Sequence, residues 1–263
     1  MNTNQFRKLT GLLFIIGAIL VNIPYSMLIT NFDYPDILRQ PAATVLTQFQ
    51  AGGASLIFTW LAFAWVGLPL VFGTVMLKRV LEPEGHPLLE TATTLGVVGL
   101  VLAVVGLTRW VFVVPGLARL YTDPTSSEAI RASVLVTFQA IHQYGGVVIG
   151  EHISQFMTVA WMVLISGMML RSALFQAWQG WLGLISALVF FLAQSELLAT
   201  VIPGFPEVPA AGLIGSLLWL VWMLYRWGLK SQPGMRRIRP SLAKSAPAQP
   251  WSTSARIHRI PSG

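Results

Sequence analysis

The stretch "ATTLGVVGLVLAVVGLTRWVFVV", residues 92–114, decides the fold class of this chain. Apolar residues dominate it, and Arg109 is its only charged side chain. A bilayer core of about 30 Å needs roughly 20 apolar residues in a helix, so this stretch is long enough to cross a membrane. The spacing Gly99-x-x-x-Ala103 further predicts that this helix packs closely against a neighbour.

The composition of the whole chain is also typical of a membrane protein. Of its 263 residues, 54% are hydrophobic and only 10% are charged, whereas about a quarter are charged in ordinary soluble domains. So few charges cannot solvate the surface of a soluble protein of this size. We therefore predict an all-α polytopic membrane bundle of six transmembrane helices, at about residues 10–30, 55–77, 92–114, 147–170, 179–202 and 210–227.

The distribution of lysine and arginine predicts the orientation of the bundle. Cations near helix ends favour the cytoplasmic side of a membrane. The two termini and the connections after the second and fourth predicted helices contain most of the cations, whereas the opposite connections contain only Arg39, Arg119 and Arg131. We therefore expect both termini in the cytoplasm. The net charge of +7 is explained by this bias, without nucleic-acid binding.

A basic tail, residues 230–263, follows the predicted membrane domain, residues 1–229. Pro, Ser and Ala interrupt any apolar periodicity in the tail, and no Asp or Glu balances its cations. Such a composition predicts a disordered cytoplasmic segment. The tail is expected either to bind anionic lipid headgroups or to serve only as a topology signal.

Two connections on the predicted outer side are longer than a turn requires. They cover about residues 31–54 and 115–146, and each is predicted to contain a helix near its end. In the second connection, Ser126 or Ser127 is placed to cap a helix whose first turn contains Glu128. The fold is therefore expected to include extra helical segments on the outer side.

The same two connections share a sequence pattern. "ATVLTQFQAGGA" at 43–54 resembles "ASVLVTFQAIHQYGGV" at 132–147, and the second copy contains an additional "IHQY" that includes His142. A duplicated helix pair would explain the similarity, as in transporters built from repeats. Chance similarity among apolar residues is the alternative explanation.

Ionisable side chains in and beside the predicted spans form the candidate site. Each costs about 2.5–3.5 kcal/mol to insert, so each needs a physical reason. Helical geometry places those of the third, fourth and fifth spans at a similar depth near the outer side, and another polar group precedes the fourth span. The candidate residues for ligand binding or ion pairing are Arg109, His142, Gln143, Glu151, His152 and Glu196.

Each candidate residue also has a simpler explanation. Arg109 is expected either to form an internal ion pair with Glu151 or Glu196, or to extend its long side chain to the outer headgroups. Glu196 lies too deep for such an extension and is expected to be paired or protonated. His142 is alternatively a solvated interface residue, and His152 is alternatively a hydrogen-bonded packing residue.

Several kinds of chemistry have no sequence support. The absence of cysteine excludes disulfides, thiolate metal sites, iron–sulfur clusters and c-type haem. The chain also lacks HExxH, GxSxG, P-loop and Rossmann motifs. We therefore predict no cofactor and no metal, with a zinc or iron ion held by His142, His152 and a glutamate as the minor alternative.

Two segments give the chain a resemblance to a known family. "RWVFVVPGLA" at 109–118 precedes "FQAIHQYGGVVIGEHI" at 138–153, and this order resembles bacterial multi-span membrane proteins grouped as domain of unknown function 4386. The resemblance covers about residues 10–229. It implies a six-helix bacterial inner-membrane protein and implies no activity. The residues that look shared are Arg109, Trp110, Pro115, His142, Gln143, Tyr144, Glu151 and His152.

Three classes of function are consistent with these patterns. A binding or transport protein would use the polar cluster to hold a small ligand or to relay protons, which needs only titratable groups near water. A membrane-embedded enzyme, metal-dependent or not, is the alternative; it would also need a nucleophile or a metal, and no activated nucleophile is visible, which favours the binding or transport protein. A structural or regulatory subunit would use the same residues to lock helices together. The sequence predicts neither a substrate nor an oligomeric state.

Overall fold

A computed structural model describes residues 3–206 and 208–227, and every regular element among them is helical. The tail, residues 230–263, lies outside the described residues, so its disorder and its lipid binding stay predictions. Short 3-10 helices at Asp36–Arg39 and Glu82–Glu84 and a π-helical segment at His142–Ile153 supplement the α-helices. The α-helices are α1 Thr3–Phe32, α2 Ala42–Trp65, α3 Leu68–Leu81, α4 Leu89–Phe112, α5 Val114–Thr122, α6 Glu128–Ile141, α7 Ser154–Arg171, α8 Ala177–Leu192, α9 Gln194–Ala199 and α10 Pro209–Trp227.

Five helical stretches of the described chain are long and apolar enough to cross a membrane. They are Gln5–Phe32, Ala42–Glu84, Leu89–Thr122, Glu128–Arg171 and Ala177–Ala199. These stretches confirm the predicted all-α membrane bundle, because helices satisfy their own backbone hydrogen bonds in lipid. The predicted sixth span, residues 210–227, coincides with α10, which is not among the five; several of its side chains lie outside the described ones.

Two of these stretches are much longer than one crossing requires. Ala42–Glu84 contains 43 residues and Glu128–Arg171 contains 44, which is about 65 Å of helix at 1.5 Å per residue. A hydrocarbon core of about 30 Å accommodates less than half of that length. The extra helical segments predicted at residues 31–54 and 115–146 are present as the first part of α2 and as α5 and α6.

In α6, Ser127 is the N-cap: its hydroxyl accepts the backbone N–H of Ile130 at 3.3 Å, and Glu128 lies in the first turn, as predicted.

The two long stretches differ at their Gly-Gly pairs. In α2, the Gly-Gly pair produces a kink at Gly53, whose φ of 55° lies in the left-handed region that favours glycine. In the second copy the Gly-Gly pair lies inside the π-helical segment.

Corresponding residues of the two similar segments pack in one aromatic cluster. Phe49 and Phe138 both contact Trp110, with ring centroids 5.6 and 6.2 Å apart. The valines one turn earlier, Val45 and Val134, are buried in the same cluster. The shared sequence pattern therefore has the same packing role in both segments.

Trp110 is completely buried at the centre of this cluster. It stacks on Trp60 with centroids 4.7 Å apart and rings 10° from parallel, and it meets Phe32 edge-on at 5.5 Å. Tyr34 packs edge-on against Trp60 at 5.4 Å. Each aromatic pair adds about 0.5–1.5 kcal/mol beyond area burial. The end of the bundle where α1, α2, α4 and α6 meet through this cluster is called the Tyr34 end below.

Glycines bring α4 close to its neighbours. Ser154 at the start of α7 donates a 2.9 Å hydrogen bond to the carbonyl oxygen of Gly99, which confirms the close packing predicted there. Two turns later, a Cβ on Gly106 would collide with the Cα atom of Gly150 in the π-helical segment. These contacts hold α4 against the segment that contains most of the candidate residues.

Replacing Gly106 with alanine should destabilise the protein, because the new methyl group would have to displace backbone atoms of the π-helical segment. We expect the free energy of unfolding to fall by about 1–3 kcal/mol, measured by denaturation in detergent. Gly116→Ala in α5 is the matched control, since nothing lies within 4 Å of the position of its Cβ. The control should be neutral or gain up to about 1 kcal/mol. Equal stability of the two variants would contradict the close packing.

Candidate functional site

Arg109 lies inside the bundle, in the last turn of α4, and is only 7% exposed. Its Nη1 donates to the carbonyl oxygen of Gly106 at 2.5 Å. Gly146 lies directly against the guanidinium group, whose carbon is 5.2 Å from the ring centroid of Trp110, within range of a cation–π attraction. Arg109 therefore points into the protein and does not extend to the headgroups.

The ion pair expected for Arg109 is not formed. Among the described residues, no carboxylate oxygen lies within 4.0 Å of its nitrogen atoms. Glu151 is half-buried and also has no ion pair in the described part of the chain. The two residues are nevertheless close enough to interact electrostatically. One charge of each sign thus lies at the Tyr34 end with a gap between them.

Glu196 is paired, but with a different arginine. Arg39 in the first 3-10 helix donates from Nη2 to a carboxylate oxygen of Glu196 at 2.8 Å, and its Nη1 contacts Asp36 at 3.3 Å. The Arg39 side chain is 57% exposed, so the pair adds little stability. The sequence allows a pair between Glu196 and Arg109 of a neighbouring span. The partner found for Glu196 is instead Arg39, which lies in the connection after α1.

His152 belongs to a separate chain of hydrogen bonds. Its Nδ1 lies 2.7 Å from Oε1 of Gln194, and Nε2 of Gln194 donates to Gln155 at 2.5 Å. Because an amide oxygen only accepts, Nδ1 of His152 carries the proton. Gln143 donates to the Thr200 hydroxyl at 3.3 Å. These contacts fasten α9 and the turn after it to the π-helical segment and to α7, so His152 and Gln143 serve helix packing.

His142 is half-buried and packs against the aromatic cluster. Its ring stacks on Phe138 with centroids 5.4 Å apart and meets Trp110 edge-on at 6.0 Å. Electrostatic interactions link four of the six predicted residues: Arg109 with His142 and with Glu151, and Glu151 with Glu196. The other two, Gln143 and His152, lie in the hydrogen-bonded groups described above.

Unpartnered nitrogen atoms are concentrated around Trp110. Of the eight buried side-chain N and O atoms without a hydrogen-bond partner among the described residues, four are Nε1 of Trp60, Nε of Arg109, Nε1 of Trp110 and Nδ1 of His142. The other three side chains all contact Trp110. Each such atom costs about 1–3 kcal/mol and requires an explanation. The name Trp110 site is used below for Tyr34, Trp60, Arg109, Trp110, His142 and Glu151.

Tyr34 adds a hydroxyl group to this site from the connection after α1. Burial raises the pKa of its phenol well above the ordinary value of 10.0, the negative charge of Glu151 raises this pKa further, and the positive charge of Arg109 lowers it. The hydroxyl therefore stays protonated at physiological pH and is able to donate a hydrogen bond. These influences also place Tyr34 within electrostatic reach of both charged residues.

The geometry gives no support to a metal site. Within residues 3–206 and 208–227, no group of three His, Asp or Glu side chains is close enough to hold an ion. His142 and His152 in particular have different surroundings, since one stacks on Phe138 and the other bonds to Gln194. The alternative of an ion shared by these two histidines is therefore not supported by the described residues.

Comparison with known proteins identifies one family. The family model described as "Domain of unknown function (DUF4386)" matches residues 9–227. The chain belongs to this family. The match covers nearly all of the predicted membrane domain, residues 1–229, and confirms the resemblance carried by residues 109–118 and 138–153. No curated protein and no solved structure matches the chain significantly. Because the DUF4386 description names no activity, function has to be argued from the site.

Sequence patterns did not identify three important residues of this region, Tyr34, Trp60 and Gln194. Tyr34 lies in a connection, Trp60 lies in an apolar span, and Gln194 is an uncharged neighbour of Glu196. Each had a usable signal, because each is a polar or amphipathic side chain within or beside a predicted span. Their roles depend on packing between elements far apart in sequence, which periodicity does not report.

Gln194→Leu should destabilise the protein, because it leaves His152 and Gln155 without their partners inside the bundle. We expect a loss of about 1–3 kcal/mol in the free energy of unfolding, measured in detergent. Gln50→Leu makes the same exchange at an exposed position of α2 and should change stability by less than about 0.5 kcal/mol. Similar effects of the two exchanges would show that the hydrogen-bonded chain does not stabilise the fold.

Proposed function

We propose that this DUF4386 protein binds a small polar molecule at the Trp110 site. The observation that carries the proposal is the set of four buried nitrogen atoms that lack partners around Trp110. A bound molecule with acceptor atoms would give partners to the three of these nitrogen atoms that only donate, on Trp60, Arg109 and Trp110. It would thereby offset a cost of about 1–3 kcal/mol for each atom.

A purely structural role is less well supported, because such a role requires paired charges. Arg109 makes one hydrogen bond, to Gly106, and within the described residues neither Arg109 nor Glu151 has an ion-pair partner. A buried charge left without its partner destabilises a fold by about 3–5 kcal/mol. Two neighbouring charges of opposite sign that remain apart are better suited to hold a third group than to lock helices together.

Binding is also better supported than catalysis by the residue types at the site. The Trp110 site offers hydrogen-bond donors, aromatic surface and one carboxylate. Group transfer or hydrolysis would need an activated nucleophile or a metal as well. The described residues bring no metal-binding group of three acidic or histidine side chains together.

We further propose that the site lies in the outer half of the bacterial inner membrane, with both termini in the cytoplasm. Lys78, Arg79 and Arg171 lie in the last turns of α3 and α7, at the helix ends away from the Tyr34 end. A local excess of cations favours the cytoplasmic side. The ligand would then enter from outside the cell membrane.

Cysteine labelling tests this orientation, because the chain contains no cysteine. Ala129 is exposed in the first turn of α6, and Ala173 is exposed in the turn between α7 and α8. A membrane-impermeant maleimide applied to spheroplasts should label the Ala129→Cys variant. The Ala173→Cys variant should react only after lysis. The reverse pattern would place the Trp110 site on the cytoplasmic side.

Extraction of bound molecules tests the binding proposal itself. Detergent-purified parent protein should release a small molecule on denaturation, detected by mass spectrometry. In Arg109→Lys, which keeps the charge but loses the Nε donor, the amount should fall at least about tenfold. Arg119→Lys makes the same exchange at an exposed position of α5 and should retain the molecule. The proposal is wrong if Arg109→Lys and Arg119→Lys are as stable as the parent and all three proteins release the same compounds in equal amounts.

A further inference from the structure

We infer that the molecule bound at the Trp110 site is a small zwitterion of the amino-acid class. Its anionic group faces Arg109 and the indole N–H groups of Trp60 and Trp110, and its cationic group faces Glu151. The inference rests on the proposed function and adds the chemical class of the ligand to it.

The anionic group follows from the unpartnered donors. Nε of Arg109 and Nε1 of Trp60 and Trp110 carry hydrogen and donate only. Both tryptophans are 0% exposed and Arg109 is 7% exposed, so bulk water does not solvate these groups. Three donors, one of them on a cation, match a group that offers several acceptor lone pairs and a negative charge. A carboxylate meets both conditions and forms short, charge-assisted hydrogen bonds with arginine.

The cationic group follows from Glu151. An ionised carboxylate only accepts hydrogen bonds, and Glu151 has no cationic partner within 4.0 Å among the described residues. Arg109 and Arg39 are near enough to interact with it electrostatically, but neither forms an ion pair with it. A ligand ammonium group beside Glu151 would give this carboxylate three donors and a compensating charge.

A ligand with only one kind of charge satisfies only part of the site. A simple carboxylate would pair with Arg109 but would leave Glu151 unpartnered and repelled by the new negative charge. A simple amine would pair with Glu151 but would leave the donors of Arg109 and of the tryptophans unused. A zwitterion satisfies both groups and adds no net charge to a site inside a membrane bundle, where uncompensated charge is costly.

The packing of the site limits the size of the ligand. Phe32, Phe49, Trp60 and Phe138 already contact the Trp110 ring at centroid distances of 4.7–6.2 Å. Arg109 and Glu151 do not form an ion pair with each other, although they influence each other electrostatically. The two charged groups of an α-amino acid sit on one carbon atom, so a small molecule of this class presents both charges close together.

A binding titration with matched probes tests the inference. The parent protein in lipid nanodiscs is titrated calorimetrically with each of the common amino acids. The tightest binder is then compared with its amine, which lacks the carboxylate, and with its carboxylic acid, which lacks the amino group. We expect both analogues to bind at least about tenfold more weakly, because each leaves a buried group unpaired.

Variants assign the two ends of the ligand. Glu151→Gln should weaken binding of the amino acid at least about tenfold and should strengthen binding of the carboxylic acid, because it removes the repelling charge; a merely structural role would not produce these opposite effects. Glu90→Gln removes a carboxylate that pairs with Lys78 in a different part of the bundle and should bind like the parent.

Two failures are distinguishable. If the carboxylic acid binds as tightly as the amino acid, or if the extracted molecule is not zwitterionic, the inference is wrong and the binding function stands. If no probe binds and no molecule is extracted, the binding function and the zwitterion inference are both overturned.

Discussion

The Arg109 guanidinium is buried between the last turn of α4 and Gly146 of the π-helical segment. An arginine in a membrane span is costly when it faces lipid, so this burial fixes the rotation of α4 about its axis. The rotation in turn places Trp110 inside the bundle, where it stacks on Trp60. A side chain at Gly146 would occupy the position of the guanidinium, so the glycine is required for this arrangement.

The sequence was sufficient to predict the membrane bundle and the end at which its polar residues gather. Length and apolarity of a span are properties of local sequence, and depth follows from counting residues along a helix. Pairing is different, because it depends on what the connections contribute. Glu196 pairs with Arg39 from the connection after α1. Counting residues along the spans does not predict this contact, because Arg39 is not in a span. Tyr34 reaches the site from the same connection.

The two similar segments differ in polar character. Both use a Phe and a preceding Val to pack near Trp110. The first then bends at Gly53, whereas the second, which contains the additional "IHQY", continues as the π-helical segment His142–Ile153. The π-helix is rare, and the single-turn π-bulges in which it mostly appears are frequently at functional sites. The segment contains four of the six predicted site residues, so the difference between the two copies coincides with the candidate site.

The Trp110 site has a lower stability than an apolar or fully paired site in the same position would have. Replacing a charged group in a bundle by packed apolar residues is often neutral or stabilising, so stability alone does not explain Arg109 and Glu151. A ligand that binds only the folded protein adds RT ln(1 + [L]/Kd) to the free energy of unfolding, about 2.7 kcal/mol when its concentration is 100 times Kd. That amount is comparable to the cost of one or two unpartnered buried groups. Occupation of the site would therefore recover part of the stability lost there.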